Sequence, residues 1–342
     1  MLFTIALPVV VFLFLVVSLS SKWVRYRHDI LPNRKCVIVS GAASGIGEAL
    51  VRQLLSHHCR VIAVDCNEPL LSQRRQEYIK MGLLRNSIED NDHNNNNHSK
   101  EVSGATYETH SFDLSSVTSQ DIQQQLFSEG SVDSVFALVN CAGISYPRDT
   151  NYTSLVELNE EVVDKMLKTN VTSHMKMTRA VFPHLSRSEG RSKALIMNVA
   201  SPAGVLIPPF LGTPYGVTKA ALIGWNDGIR RELRSSGIDV CCVFPGFTKT
   251  GMAFKGSIDP QSEFSQEIAN CQHSFGKIMD TFGQDPNEVA QVMFSNLFSS
   301  NRGKHVYVDS NGKNLVWPFL AAIQSLCPSV IDWLLLKLTC LK

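Results

Sequence analysis

The sequence carries almost no net charge and no dense basic tract. Its 342 residues contain 32 lysines and arginines against 31 aspartates and glutamates, which leaves a formal charge of +1. Domains that bind nucleic acid cluster Lys and Arg on one face or along one helix. The balance therefore argues against a polyanionic partner, and we expect no binding to nucleic acid.

The cysteines lack any regular spacing. The chain has nine, and no two of them form a C-x-x-C pair. Disulfide frameworks and zinc sites are recognised by such spacing. We therefore expect buried or free thiols rather than disulfides, and no metal site.

Charge is absent from residues 2–19, LFTIALPVVVFLFLVVSL. The run is about as long as a bilayer requires, and basic residues follow it rather than precede it: Lys22, Arg25, Arg27, Arg34 and Lys35. A cleaved signal peptide has its basic residues first, and positive charges mark the cytoplasmic side. The pattern predicts a membrane anchor at 1–21 that leaves the remaining chain in the cytoplasm. A cleaved signal and a buried core helix are the alternatives.

From residue 36 onward, short apolar runs alternate with longer helical stretches. The strand candidates are 36–40, 60–65, 107–112, 135–140, 193–199, 239–244 and 304–309, and the helix candidates are 45–57, 118–128, 154–185, 215–235 and 286–298. Such alternation, with mostly apolar strands, is typical of a parallel sheet covered by helices on both faces. The sequence predicts one α/β domain at 36–310, a doubly wound parallel sheet of about seven strands.

Two segments do not fit this alternation. Residues 85–103 are polar and nearly free of large apolar side chains, which predicts a disordered surface insertion. His93 and His98 within it could bind a metal, although a solvated loop is the favoured interpretation. Residues 314–342 are apolar but interrupted by two prolines. They predict either a membrane-associating amphipathic segment or a lid that packs over a pocket or a partner subunit.

A glycine-rich turn, VSGAASGIGEAL at 39–50, joins the first strand candidate to the first helix candidate. Gly41, Gly45 and Gly47 allow the backbone to approach a pyrophosphate, which the N–H groups and the positive dipole end of the helix then face. Asp65 ends the second strand candidate, where a carboxylate can bind the adenosine ribose and repels a 2′-phosphate. The pattern favours NAD over NADP, and a surface-turn aspartate is the alternative for Asp65.

The stretch PYGVTKAA at 214–221 places Tyr215 and Lys219 four residues apart. On a helix, this spacing puts both side chains on one face. A nearby cation lowers the pKa of a tyrosine from its usual value near 10, which produces an acid or base able to exchange a proton with an alcohol or a ketone. Chance is the alternative, because a single pair of this kind is a weak motif.

The motifs and their order along the chain resemble those of the short-chain dehydrogenase/reductase family over about residues 36–310. The glycine turn has the form T-G-x-x-x-G-x-G, except that Ser40 replaces the threonine and retains its hydroxyl. NCAG at 140–143 resembles the N-N-A-G turn, with Cys141 in the second position. Further matches are TNV at 169–171, SPAG at 201–204, YGVTK at 215–219 and PGFTKT at 245–250. The resemblance implies a Rossmann-type fold.

The resemblance also implies a catalytic set of four residues. Tyr215 would exchange the proton of the substrate hydroxyl, and Lys219 would lower the pKa of Tyr215 and hold the nicotinamide ribose. Ser201 would donate a hydrogen bond to the substrate oxygen as charge develops there. Asn170 would hold a water molecule that connects Lys219 to solvent.

The implied cofactor is NAD, with NADP possible, and it would carry the hydride. The positions implied for binding it are Gly41, Ser44, Gly45, Ile46, Gly47, Asp65, Asp113, Asn140, Ala142, Tyr215, Lys219, Pro245, Thr248 and Thr250. Among these, Asp113 would contact the adenine, and Thr248 and Thr250 would contact the nicotinamide.

Two stretches near these motifs, 206–212 and 251–284, are rich in apolar residues, and the resemblance implies that the second is a loop that lines the substrate pocket. They contribute Leu206, Ile207, Phe210, Leu211, Met252, Phe254, Phe264, Phe275, Ile278, Met279 and Phe282. If these residues line a pocket on an anchored enzyme, they favour a lipophilic alcohol or ketone as substrate, such as a steroid, a retinoid or a sphingoid compound. The alternative is that they only close a core. The anchor and the resemblance together imply the endoplasmic reticulum membrane, with the catalytic domain facing the cytoplasm.

Other functions remain possible. An NADPH-dependent 3-ketosphinganine-type reductase is the second enzyme hypothesis. A non-catalytic, membrane-tethered nucleotide-binding scaffold is a third, which the complete catalytic set argues against. The resemblance also implies a homodimer that pairs through the helices carrying Asn170 and Tyr215.

Overall fold

The computed structural model describes most of the chain. The described residues are 30–85, 104–127, 134–147, 150–186, 193–208, 210–252 and 256–308, with isolated positions beyond residue 319. The predicted anchor at 1–21 lies outside them, as do the polar insertion at 85–103, apart from Arg85, and most of the apolar segment at 314–342. The predicted disorder of the insertion and the predicted role of the C-terminal segment stay predictions.

Seven parallel strands form one sheet. They are β1 (Cys36–Ser40), β2 (Arg60–Asp65), β3 (Thr106–Ser111), β4 (Ala137–Asn140), β5 (Ala194–Val199), β6 (Ile238–Pro245) and β7 (His305–Val308). Their order across the sheet is β3-β2-β1-β4-β5-β6-β7. Every residue of β1, β4 and β5 is buried, as a sheet with helices on both faces requires. The predicted doubly wound sheet is confirmed.

Eight α-helices connect or flank these strands. They are α1 (Gly45–Ser56), α2 (Glu68–Lys80), α3 (Ser119–Phe127), α4 (Glu160–Leu167), α5 (Ser173–Val181), α6 (Thr213–Glu232), α7 (Ser265–Phe282) and α8 (Pro286–Leu297) among the described residues. A π-helical turn, Lys168–Thr172, joins α4 to α5. The helix α2 was not predicted, because it buries only Leu71 and Tyr78 and so has no apolar stripe. The region of α7 was assigned to a loop.

The two largest apolar clusters of the core lie on opposite faces of the sheet. The first lies under α1 and α8, and the second lies under α3 and α5. Apolar contacts cover both faces, and buried polar side chains lie at or near the carboxyl ends of three central strands: Ser40, Asn140 and Asn198. The candidate site is built there.

The strand order reverses direction at β1, which pairs with β2 on one side and β4 on the other. In open α/β sheets, ligands bind in the crevice outside the carboxyl ends of the strands at such a point. The turns that follow β1, β4, β5 and β6 all emerge at this edge. The topology therefore brings the glycine turn and the other sequence motifs to one cleft.

In the part of the chain that the structure describes, no helix is long and apolar enough to cross a membrane. The longest, α6, has 20 residues, but its charged side chains rule out a span: Lys219, Asp227, Arg230, Arg231 and Glu232. This finding contradicts the predicted location in the endoplasmic reticulum membrane with the domain facing the cytoplasm, and that prediction is withdrawn.

Candidate active site

The glycine turn after β1 depends on close backbone contacts. Gly41 has a φ of +68° and Gly45 a φ of +58°, a left-handed conformation that glycine adopts without strain. A β-carbon added at Gly41 would lie 2.8 Å from the backbone of Ala142, and one added at Gly47 would lie 2.1 Å from the carbonyl oxygen of Gly41. Ser44 is exposed at the start of α1 and makes no side-chain capping bond. The turn therefore leaves the helix N-terminus open to an anion.

Ser40 connects the ends of β1 and β4. Its Oγ accepts hydrogen bonds from the backbone N–H groups of Cys141, at 3.1 Å, and Ala142, at 3.3 Å. The hydroxyl retained in place of the threonine therefore does form local bonds. Burial raises the pKa of the Cys141 thiol to about 12, so this side chain is a neutral thiol at physiological pH.

Asp65 lies beside the glycine turn at the end of β2. Its Oδ2 accepts from the Ala43 N–H and its Oδ1 from the Asn67 N–H, both at 3.0 Å. Each oxygen retains a second lone pair that a ribose hydroxyl can use. Arg74 was not predicted as a site residue. Its Nε donates to the carbonyl oxygen of Ala43 at 3.1 Å, and its guanidinium pairs with Glu77 at 2.6 Å. This end of the cleft thus contains both an acidic and a basic side chain.

Two other predicted cofactor contacts have local partners of their own. Asp113 is exposed, and its Oδ1 accepts from the Ser115 N–H at 2.9 Å. Asn140 is fully buried and donates to Asn198 Oδ1 at 2.9 Å and Thr178 Oγ1 at 3.2 Å. These bonds connect β4 to β5 and α5. The structure therefore places Asn140 inside the sheet layer rather than at the open cleft.

Three of the predicted catalytic residues meet at the start of α6. Ser201 caps a short 3₁₀ turn, where its Oγ accepts from the Ala203 N–H at 3.2 Å, and its hydroxyl also hydrogen-bonds to Tyr215. The Nζ of Lys219 lies 5.6 Å from the centroid of the Tyr215 ring and donates to the carbonyl oxygen of Val199 at 2.9 Å. The helix spacing predicted from the sequence is therefore present.

Asn170 lies on the π-helical turn and is fully buried. Its Nδ2 donates to the Ile144 carbonyl and its Oδ1 accepts from the Ile144 N–H, both at 2.8 Å, and Nδ2 also donates to Thr218 Oγ1 at 2.9 Å. A β-carbon added at Gly143 would lie 3.3 Å from Asn170 Oδ1 and 3.5 Å from Lys219 Nζ. Asn170 and Lys219 therefore flank one backbone segment. The predicted bound water stays a prediction.

The titratable groups of this cluster differ from the sequence-based expectation. Burial raises the pKa of Tyr215 to about 12, and the Ser201 hydrogen bond opposes that rise. Burial lowers the pKa of Lys219 from 10.5 to about 8. Desolvation favours the neutral form of each group, so Tyr215 is a protonated phenol at neutral pH. The predicted lowering of its pKa by Lys219 is not found in the structure.

The loop after β6 closes the opposite side of the cleft. Pro245 ends the strand and is buried, and Thr248 donates to the Gly246 carbonyl at 2.9 Å. The methyl group of Thr250 would lie 3.3 Å from a β-carbon added at Gly45. This proximity confirms that the loop and the glycine turn face each other.

The predicted apolar residues lie on several elements. Phe210 and Phe264 lie 5.6 Å apart between ring centroids, in a small cluster with Tyr146, Tyr152, Leu158, Ile268 and Cys271. Met252, Ile207 and Phe282 are exposed. Phe254 and the side chain of Leu211 lie outside the described part. The apolar residues near the site thus divide between a small core and an exposed rim.

Glu157, which the sequence analysis overlooked, connects the loop after β4 to the segment before α7. It accepts from Thr153 Oγ1 and Ser262 Oγ at 2.5 Å, and from the Glu263 N–H at 2.9 Å. The Ser262 and Thr153 hydroxyls together lower the pKa of Glu157 to about 2. A parallel backbone bridge between Tyr152 and Ile258 reinforces the connection.

Comparisons with known proteins agree with this arrangement. The family model described as short chain dehydrogenase matches residues 35–260. The chain is 27% identical over 221 residues to the very-long-chain 3-oxoacyl-CoA reductase of Anas platyrhynchos, which covers 63% of this chain and 60% of that protein. It is 28% identical over 284 residues to estradiol 17-beta-dehydrogenase 2 of Mus musculus, covering 82% and 63%. The chain thus spans about 60% of the length of the first curated relatives that it matches.

Among solved structures, the chain is similar to a short chain dehydrogenase/reductase from Burkholderia phymatum in complex with NAD. The TM-score is 0.63 and the identity 19%, with 86% of this chain and 92% of that chain covered. At this identity, the likeness shows the fold alone.

Proposed function

The chain belongs to the short-chain dehydrogenase family, and we propose that it is an oxidoreductase that uses a nicotinamide cofactor to interconvert a carbonyl and a hydroxyl group on a lipophilic substrate. One observation carries the proposal. Ser201, Tyr215 and Lys219 form a cluster that the Ala142–Gly143 backbone connects to the glycine turn. A proton donor therefore lies beside a cradle for a dinucleotide.

The residues at this edge of the sheet fit a dinucleotide. The open N-terminus of α1 suits a pyrophosphate, Asp65 suits a ribose, and Thr250 lies opposite Gly45 where the cleft continues. When bound, the nicotinamide supplies or accepts the hydride.

The remaining chemistry is a proton transfer that this chain performs. In the direction of carbonyl reduction, the Tyr215 phenol gives its proton to the substrate oxygen while the carbonyl carbon gains the hydride. Ser201 donates a hydrogen bond to that oxygen as negative charge develops there. Lys219, with a pKa of about 8, is mostly charged at pH 7 and stabilises the phenolate that forms. Oxidation of the alcohol reverses these steps.

We propose NAD as the preferred cofactor. The free lone pairs of Asp65 suit the two ribose hydroxyls, and its charge disfavours a 2′-phosphate. Arg74 is the residue that could reverse this preference, but its guanidinium is already paired with Glu77. NADP is therefore the second choice, and the reductase that uses NADPH on a 3-ketosphinganine-type substrate is the second candidate function.

The substrate class follows from the apolar rim and from the relatives. Ile207 and Met252 are exposed apolar side chains on the loops that follow β5 and β6, where a lipophilic chain or ring could contact them. The relatives carry the names of a 3-oxoacyl-CoA reductase and an estradiol dehydrogenase. Long 3-oxoacyl thioesters and steroid ketones are therefore the first substrates to assay, with retinoids and sphingoid ketones after them.

The test is turnover by the full chain and by Tyr215→Phe. We expect the wild-type protein to consume NADH with one of these ketones. Because a positioned general acid contributes about 10²- to 10⁴-fold, the variant should lose at least about 100-fold in kcat and still bind NADH. Fluorescence titration with NADH measures the binding. Equal turnover by the two proteins would contradict the role of Tyr215. A wild-type protein that binds NADH but turns over none of these ketones would favour the scaffold hypothesis.

A further inference from the structure

His174 lies on α5, four positions after Asn170, and is fully buried. Its Nε2 lies 2.8 Å from the carbonyl oxygen of Ala142. A carbonyl oxygen only accepts hydrogen bonds, so Nε2 carries the ring proton and donates it. Nδ1 has no hydrogen-bond partner among the described residues. The mechanism above gives this imidazole no role.

The bond from His174 completes the restraint of one peptide segment. The N–H of Ala142 is held by Ser40 from β1, and the carbonyl of Ala142 is held by His174 from α5. The next residue, Gly143, lies directly against Asn170 and Lys219. Any displacement of the Ala142 carbonyl therefore moves the backbone that covers the lysine.

The imidazole remains neutral. Burial, together with the positive charge of Lys219, lowers the pKa of His174 to about 3. The donor at Nε2 is therefore present throughout the working pH range. A charged histidine in this place would repel the ammonium, which the neutral ring does not.

We propose that His174 is a positioning residue that holds the Ala142–Gly143 backbone against Lys219. The proposal rests on the function proposed above. In this positioning role, His174 touches neither substrate nor cofactor. The histidine acts through the turn after β4. The turn keeps water away from the ammonium and keeps the ammonium in place beneath Tyr215.

The titratable groups around Lys219 carry no negative charge at neutral pH, so the exclusion of water is what mainly sets the pKa of Lys219. They are Tyr215 on α6, Cys141 after β4, Cys242 on β6 and His174 on α5. Burial raises the pKa of both thiols, and none of the four is an anion at neutral pH. A looser turn would admit water, and the pKa of Lys219 would rise from about 8 towards 10.5.

Two substitutions separate the donor bond from the volume of the ring. His174→Gln places an amide N–H near the position of Nε2, whereas His174→Met fills similar space without a donor. We expect His174→Met to lower kcat by roughly 10- to 100-fold, the effect of a small misplacement, with little change in substrate KM. His174→Gln should stay within about 3-fold of the wild-type kcat, since a restored donor restores the geometry.

A second readout needs no cofactor. In the full chain without ligand, carbon-13 NMR of labelled lysine side chains follows the titration of Lys219. His174→Met should raise the pKa of Lys219 by at least one unit, and His174→Gln should leave it near that of the wild type.

His184 is the matched control. It lies at the end of the same helical segment, stacks on Phe127 at 3.6 Å between ring centroids, and also has a buried ring nitrogen without a partner among the described residues. His184→Met should change neither kcat nor the pKa of Lys219, whatever it does to the melting temperature.

The outcomes separate this proposal from the proposed function. An inactive wild-type protein would count against the function, while the NMR titration would still test His174. An unchanged Lys219 pKa in His174→Met, or equal losses in the Met and Gln variants, would overturn the positioning role. If His174→Met does not fold, His174→Asn, whose shorter amide cannot reach the Ala142 carbonyl, takes its place with the same expectations.

Discussion

The two sides of the cleft are held together in different ways. The cofactor side is the glycine turn with the strand ends around it, and the proposed substrate side is the loop after β4 with the segment before α7. On the cofactor side, buried side chains bond to the backbone at the strand ends, as Ser40 and His174 do with Ala142. On the substrate side, the exposed carboxylate of Glu157 and a small apolar cluster connect loops to the start of α7. A change on the first side must therefore disturb the fold or the chemistry. A change on the second side should alter mainly how the substrate fits.

The largest contrast is expected for Lys219→Met. Loss of the ammonium should reduce turnover by about 10³-fold, since it removes support for the proton transfer. The same change should stabilise the fold at pH 7 by about 1 to 3 kcal/mol, because a buried charge is removed, although Val199 loses a donor. Denaturant unfolding and steady-state kinetics on the same samples measure both effects.

The stability gained by Lys219→Met should depend on pH. Burial lowers the pKa of Lys219 to about 8 in the folded protein, from about 10.5 in the unfolded chain. The unfolded state binds more protons between these values, so the wild-type protein gains stability as the pH rises through them. The stability difference between the variant and the wild type should therefore shrink from pH 8 to pH 10. A constant difference would contradict the lowered pKa of Lys219.

Gly47→Ala tests whether the cofactor side depends on close backbone contact. The added methyl group would lie 2.1 Å from the carbonyl oxygen of Gly41, so the glycine turn must move. We expect the affinity for NADH to fall by about 100-fold and the melting temperature to fall with it. Gly224→Ala on α6 is the control, because nothing lies within 4 Å of the added carbon. It should bind NADH normally and gain about 1 kcal/mol from helix propensity.

Glu157→Gln tests the substrate side. We expect substrate KM to rise by about 10-fold, the effect of a small misplacement of the substrate loops, with kcat and NADH affinity unchanged. Glu160→Gln, an exposed carboxylate at the start of α4, is the control. The folded pKa of Glu157 is about 2, below its unfolded value near 4.3. Its stabilising effect is thus complete above the unfolded value and lost as the pH falls towards 2. A fall in NADH affinity would mean that the two sides are not separable.

The smallest effect is expected for Asp65→Asn. Removal of the negative charge should shift the ratio of NADPH to NADH affinity by about 5-fold towards NADPH, because repulsion of the 2′-phosphate is lost. Asp113→Asn, in which the exposed side chain still caps its own turn, should leave the ratio unchanged. Separate titrations with the two cofactors measure it, and an unchanged ratio in Asp65→Asn would remove the case for NAD.

The same division explains which parts of the fold could be predicted. The strands of the cofactor side are continuous apolar runs, and their buried faces follow directly from that pattern. The helix α2 was missed because it buries only Leu71 and Tyr78, so no periodic stripe identifies it. The helix α7 was assigned to a loop because the family resemblance, rather than periodicity, guided the assignment there.

The functional residues divide in a similar way. Tyr215 and Lys219 were found because their four-residue spacing on one helix is a local property. Glu157 and Arg74 were missed because the contacts that tie them to the cleft are distant in sequence. Ser262 is 105 positions from Glu157, and Ala43 is 31 positions from Arg74. Asn140 was recognised by its motif, but its neighbours in the sheet, rather than the motif, determine what it bonds.

The sequence by itself determined the glycine turn, the alternation of strands and helices, and the residues that we propose to carry the proton chemistry. These depend on local spacing and backbone conformation, which the order of residues specifies directly. Only the tertiary structure decided that Tyr215 is a neutral phenol, that His174 donates to Ala142, and that the Glu157 carboxylate joins the loop after β4 to the segment before α7. Burial and long-range contacts set those properties, because a pKa and a hydrogen-bond partner depend on what the fold brings near a side chain and how much water it excludes.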